Sequence, residues 1–122
     1  MKVSASLEDY LEVILDLSTE SPKVRVTDLA NKLNVSKPSV NKAVSILKEQ
    51  GFIEHEKYGT LQLTDSGKKI AEDVRERHDI LKYFLVEVLK VEEDVAEDEA
   101  CKMEHGLSQE TIRKLKNFLK NR

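Results

Sequence analysis

Leu7, Leu11, Ile14, Leu15 and Leu17 recur at helical spacing behind Ser6-Leu7-Glu8-Asp9, an S-x-x-D variant of the capping box. This predicts a first helix opening at Ser6, and Ser18-Thr19-Glu20-Ser21-Pro22 stops it. Thr27-Asp28-Leu29-Ala30-Asn31-Lys32-Leu33 predicts a short helix with Thr27 or a neighbour as its cap, then a turn at Asn34-Val35. Ser36 caps the next helix, with Pro38 in the first turn, where a missing N–H costs nothing. Val40, Val44, Ile46 and Leu47 keep one face of that helix apolar until Gly51. Phe52-Ile53-Glu54-His55-Glu56 and Leu61-Gln62-Leu63-Thr64 alternate around Tyr58-Gly59, the pattern of a β-hairpin. Thr64-Asp65-Ser66-Gly67 begins a long helix through Ile70, Val74, Ile80, Leu81, Phe84, Leu85 and Val88. Two more helices are predicted, roughly over 92–106 and 109–120.

The fold class is therefore mainly α with a small β-hairpin. Helix, short turn, second helix, Gly and hairpin, in that order, make an N-terminal winged helix-turn-helix, whose second helix enters the major groove of DNA by its N-terminal end. Here that end carries Ser36, Lys37, Pro38, Ser39, Asn41 and Lys42. Asn and Ser can hydrogen-bond base edges, and Lys can contact guanine or phosphate. Arg25, Lys32 and Lys48 suit phosphate positioning, and Lys57 sits on the wing. The alternative is an ordinary solvated face on a generic bundle. The hairpin directly after the second helix weighs against it.

With 122 residues, the chain is one domain or two small coupled ones. The net charge of -3 hides a separation: Lys23, Arg25, Lys32, Lys37, Lys42 and Lys48 face only Asp28 and Glu49, so the first half can still bind a polyanion. Glu92, Glu93, Asp94, Glu97, Asp98, Glu99 and Glu104 form an acidic block that is either solvated or gathers cations. A single cysteine excludes an internal disulfide framework and fits a reducing compartment. The N-terminus lacks a signal-peptide core, and no apolar run reaches the roughly 20 residues needed to span a bilayer. A cytoplasmic protein with no membrane partner is the expectation. Glu-x-x-His pairs, which a di-iron carboxylate enzyme needs on its helices, are absent, so neither an enzyme nor a small-molecule substrate is expected.

Asp9 and Glu12 lie three apart on one helical face, and Cys101, Glu104 and His105 at i, i+3 and i+4 also share a face. Thiolate, carboxylate and imidazole are common metal donors, and His78 on the long helix could join them. Equally, a lone cysteine is usually a small hydrophobe, and an early acidic pair usually compensates the helix dipole. Spacing leaves both readings open, as well as a regulator that uses Cys101 as a redox switch with no metal response.

Ser6-Leu7-Glu8-Asp9-Tyr10-Leu11-Glu12, Val35-Ser36-Lys37-Pro38-Ser39-Val40, Glu56-Lys57-Tyr58-Gly59 with Leu63-Thr64-Asp65-Ser66-Gly67, Arg77-His78, and the stretch Glu99-Ala100-Cys101-Lys102-Met103-Glu104-His105-Gly106-Leu107-Ser108 are motifs end to end along the chain. Together they resemble the metal-dependent repressors of the diphtheria toxin repressor family, including its manganese-regulator branch. The resemblance implies a winged-helix DNA-binding domain over 1–72 and a helical metal-binding and dimerisation domain over 73–122. It implies Asp9, Glu12, His78, Cys101, Glu104 and His105 as metal ligands, a homodimer, and a palindromic double-stranded DNA operator. The expected ion is Fe(II) or Mn(II), with Zn, Co or Ni able to substitute in vitro. The match is a hybrid. Asp9 stands where the iron branch has Met, and Cys101 where the manganese branch has Glu. Glu97 and Lys82 hold the places of the iron branch's ancillary His and Glu, and a charged lysine is no ligand. The chain ends at Arg122, leaving no room for the SH3-like third domain of longer members.

Overall fold

The computed structural model describes residues 3–56 and 59–122. Its contacts divide the chain into two compact units, Met1–Glu72 and Asp73–Arg122.

In the first unit, α1 (Ala5–Glu20) is followed by β1 (Val24–Arg25), α2 (Val26–Leu33), α3 (Lys37–Glu49), β2 (Ile53–His55) and β3 (Thr60–Leu63), and α4 (Asp65–Tyr83) begins. The cap of α1 lies two residues earlier than the pattern predicts, at Ser4 rather than Ser6: the Leu7 N–H donates to Ser4 Oγ at 3.2 Å. The cap of α2 is likewise not Thr27. Arg25 occupies that position, and its N–H donates to Asp28 Oδ2 at 2.9 Å, so the acid three residues on supplies the acceptor. Asn34 ends α2 in the left-handed region at φ 55°, a conformation that asparagine tolerates. Ser36 caps α3, accepting from the Ser39 N–H at 3.3 Å.

The sheet has a strand that the alternation pattern did not show. β1 pairs antiparallel with β3, Val24 opposite Leu61, giving the order β1-β3-β2. Two residues are too short to display a period. Leu11, Ile14, Leu29, Val40, Val44, Leu47, Ile53 and Leu61 form the core between helices and sheet. The entry to α4 is built on contact with the hairpin. Thr64 Oγ1 donates to Gly51 O at 2.7 Å and accepts from the Gly67 N–H at 3.1 Å. A Cβ at position 67 would stand 2.0 Å from Phe52 O, so only glycine fits.

In the second unit the long helix does not run evenly to Val88. α4 ends at Tyr83, and Phe84–Val88 forms a π-helical turn closed by Leu89 N–H donating to Phe84 O at 3.2 Å. Lys90 follows at φ 62°. α5 (Glu93–Met103) packs its Ala96 and Ala100 with Leu81 and Leu85. α6 (Gln109–Lys120), capped by Ser108, buries no residue fully, although Ile112 and Leu115 pack against that cluster. Tyr83, Leu89, Met103 and Phe118 remain exposed. Among the described residues no helix is long and apolar enough to cross a membrane.

Candidate functional site

Two surfaces carry chemistry, one in each unit. In the first, α3 turns Val40, Ala43, Val44 and Leu47 inward, which leaves Lys37, Pro38, Ser39, Asn41 and Lys42 exposed around its N-terminal turn. Ser36 and Ser39 share a hydroxyl–hydroxyl hydrogen bond of 2.9 Å, so Ser36 fixes the start of the helix as well as lying on its outer face. Arg25 is exposed beside the wing turn; a Cβ on Gly59 would lie 3.7 Å from its Nη1. Lys57 lies outside the described residues. A cationic helix end flanked by an arginine and a wing is the geometry of a groove-reading surface. On α1, Asp9 and Glu12 are both half-buried, three residues apart.

In the second unit, Glu104 is the centre. Its side chain is only 1% exposed, and a carboxylate that deep needs a cation or strong donors. Its Oε2 faces His78 Nδ1 at 2.9 Å, and its Oε1 faces His105 Nε2 at 3.4 Å. The other nitrogen of His78, Nε2, faces Glu97 Oε2 at 3.0 Å, and Lys82 Nζ reaches the same Glu97 oxygen at 3.0 Å. His78 and Lys82 are one turn apart on α4, as Glu93, Glu97 and Cys101 are on α5, so two ladders of side chains meet rung by rung. Cys101, His78 and Glu104 each offer a donor atom within 4.8 Å of the others, with Cys101 on the exposed side.

Cys101 lies in the last turn of α5, and Glu104 keeps helical backbone angles with its N–H bonded to Ala100 O. α5 ends at Met103, Glu104 is its C-terminal cap, and His105 lies beyond. Arg77 makes this turn reproducible. Its Nη1 donates to the carbonyls of Glu104 at 3.1 Å and Leu107 at 3.0 Å, satisfying acceptors that a helix end leaves open. Arg77, Glu97 and Lys82 were not among the candidate site residues. The signal for Lys82 and Glu97 was the resemblance, which sets them at the places of the iron branch's ancillary ligands; for Arg77 it was adjacency to His78.

Burial works to lower the pKa of His78, but the hydrogen bond to Glu97 and the charges of Glu104 and Glu97 outweigh it and hold the imidazole above its usual value. The Glu97 carboxyl is held low by its hydrogen bonds to His78 and Lys82. A thiolate, an imidazole and a buried carboxylate this close suit a divalent transition ion, whose bonds of about 2.0–2.3 Å can span them with small adjustments.

A winged helix followed by a helical unit with such donors defines the class of metal-responsive transcriptional repressors. The family profile described as the iron dependent repressor N-terminal DNA binding domain matches residues 2–61, and the one described as its metal binding and dimerisation domain matches residues 64–122. The chain belongs to this iron-dependent repressor family, that of the diphtheria toxin repressor and its manganese-regulator branch. It is 36% identical over 96% of its length to an uncharacterized HTH-type transcriptional regulator of Methanocaldococcus jannaschii, spanning 94% of that protein. It is 42% identical to the transcriptional regulator MntR of Salmonella typhimurium, over 87% of this chain and 67% of that one. Among solved structures, a manganese-dependent transcriptional repressor in complex with manganese superposes with a TM-score of 0.82 at 33% identity, covering 93% of this chain and 52% of that one. The chain spans about half the length of the two solved manganese-regulator structures with which it superposes at TM-scores of 0.84 and 0.82.

Proposed function

We propose that the protein is a cytoplasmic, metal-activated repressor that binds a palindromic operator as a homodimer and controls iron or manganese homeostasis. The observation that carries this reading is the convergence of His78 and Cys101 on the buried carboxylate of Glu104, in a chain whose other unit is a winged helix. His78, Cys101, Glu104 and His105 hold the ion, joined by Asp9 and Glu12 from α1. When bound, the ion would supply positive charge that offsets the repulsion among these carboxylates. The α3 helices of the two copies would then read successive half-sites, about 34–36 Å apart. Coupling of about 1–3 kcal/mol between the metal and DNA sites corresponds to roughly 5–150-fold in operator affinity. Exposed apolar residues of the second unit, Tyr83, Leu89 and Phe118, supply the surface for the second copy.

Carboxylates favour Mn(II), whereas the thiol of Cys101 and the imidazoles shift preference towards Fe(II). The test is an operator titration, using a duplex selected by the protein from a random pool, against Mn(II), Fe(II) and Zn(II). Wild-type affinity should rise with metal. Asp9→Ala should weaken chiefly the Mn(II) response and Cys101→Ala chiefly the Fe(II) response. Operator affinity indifferent to every ion rejects the proposal.

A further inference from the structure

The α4–α5 ladder continues one rung past the donors. Glu97 sits between two cationic groups, with His78 Nε2 and Lys82 Nζ each 3.0 Å from the same oxygen, and Lys82 also reaches Glu93 at 3.6 Å. Glu97 is therefore already neutralised from within the chain, and its carboxylate is held in one place. A histidine that binds metal through one nitrogen is commonly fixed by a carboxylate on the other, which sets both tautomer and ring plane. Here the nitrogen on the donor side is Nδ1, facing Glu104 at 2.9 Å.

We propose that Lys82 and Glu97 are positioning residues for the metal site: Lys82 anchors Glu97, Glu97 holds the proton of His78 Nε2, and the ring presents Nδ1 to the space shared with Cys101 and Glu104. Lys82 is then a resident cation on the outer side of His78, and no second ion is needed there to neutralise Glu97. This inference rests on the proposed metal site and adds the residues that orient it. Glu93 and Glu97 are exposed, and ion pairs to exposed carboxylates contribute little to folding. Its effect should fall on the geometry of His78.

The experiment is Co(II) binding to the full-length chain by absorption spectroscopy, reading affinity, the thiolate charge-transfer band and the ligand-field bands. In wild type, uptake of Co(II) with a thiolate band is expected. Lys82→Met should weaken binding by about 10–100-fold and shift the ligand-field bands while leaving the thermal midpoint and circular dichroism unchanged. Lys82→Arg, which keeps the charge and the hydrogen bond, should recover most of the affinity. Glu97→Gln should weaken binding in the same way as Lys82→Met. Lys114→Met removes an equal charge from the exposed pair with Glu110 and should bind like wild type. Wild type that takes up no Co(II) overturns the metal-site reading and this inference with it. Wild-type uptake that Lys82→Met leaves unaltered, or a Lys82→Arg variant as weak as Lys82→Met, overturns this inference alone.

Discussion

Leu11, Ile14, Leu29, Val40, Leu47, Ile53 and Leu61 interlock in the first unit, and the buried polar side chain there is Thr60, a hydroxyl. In the second unit the fully apolar cluster is Leu81, Leu85, Ala96 and Ala100, while His78 and Glu104 are buried as well. The first arrangement is stabilised by removing aliphatic surface from water, which requires no bound ion. The second encloses ionisable groups, and these are tolerable only when neutralised. On the proposed function, the first unit is the reader of DNA and the second the unit whose stability responds most to a bound ion.

That contrast can be tested by perturbing each unit in turn. The largest effect should come from Gly67→Ala, whose new Cβ must displace the Phe52 carbonyl. A loss of about 3 kcal/mol or more is expected in urea unfolding of the first unit. A loss below 1 kcal/mol would mean that the hairpin yields easily. Next in size is the response of the second unit to metal. Mn(II) at about 100 times its dissociation constant should add about 2.7 kcal/mol. Hydrogen exchange should slow over 97–107 and not at Val40–Leu47, and a chelator should reverse it. Equal slowing in both places would remove the distinction. Ser36→Ala should cost about 1 kcal/mol through the lost cap of α3, seen as a lower urea midpoint with metal uptake unchanged.

The smallest effect is expected from pH. The pKa of His78 is raised above the ordinary histidine value of 6.5 in the folded unit, so the folded state holds this proton more tightly than the unfolded chain. Its stabilisation is fully present below 6.5 and is lost as pH rises through the raised value. Metal affinity should move the opposite way, rising over the same interval as the competing proton leaves. Melting of metal-free protein and Mn(II) titrations across this interval should therefore give curves of opposite slope. Parallel slopes would show that His78 holds no proton that metal must displace.

Much of this was legible from residue order. Ser36 followed by Pro38, Gly51 after an apolar helix face, and the paired alternating runs around Gly59 each encode a local event, and the first unit follows them. β1 was not legible, because Val24 and Arg25 become a strand only by pairing with β3, a long-range contact. The caps at Ser4 and Arg25 differ from those predicted because Ser4 is a second capping hydroxyl two residues before Ser6, and because Asp28 supplies the acceptor for α2 from within the helix. At the site, donor identities came from spacing and resemblance. The roles of Arg77, Glu97 and Lys82 depend on which face of α4 meets α5, and neither helix reveals that alone. The π-helical turn at Phe84–Val88 likewise has no signature in an apolar run that reads as plain helix.

The three converging donors are not equally accessible. Cys101 opens to solvent while Glu104 is sealed within, so the pocket has a door made of sulfur and a back wall made of oxygen. A thiol-specific label added from outside therefore works as a gauge. It should react quickly when the door stands open and slowly when something already holds it shut.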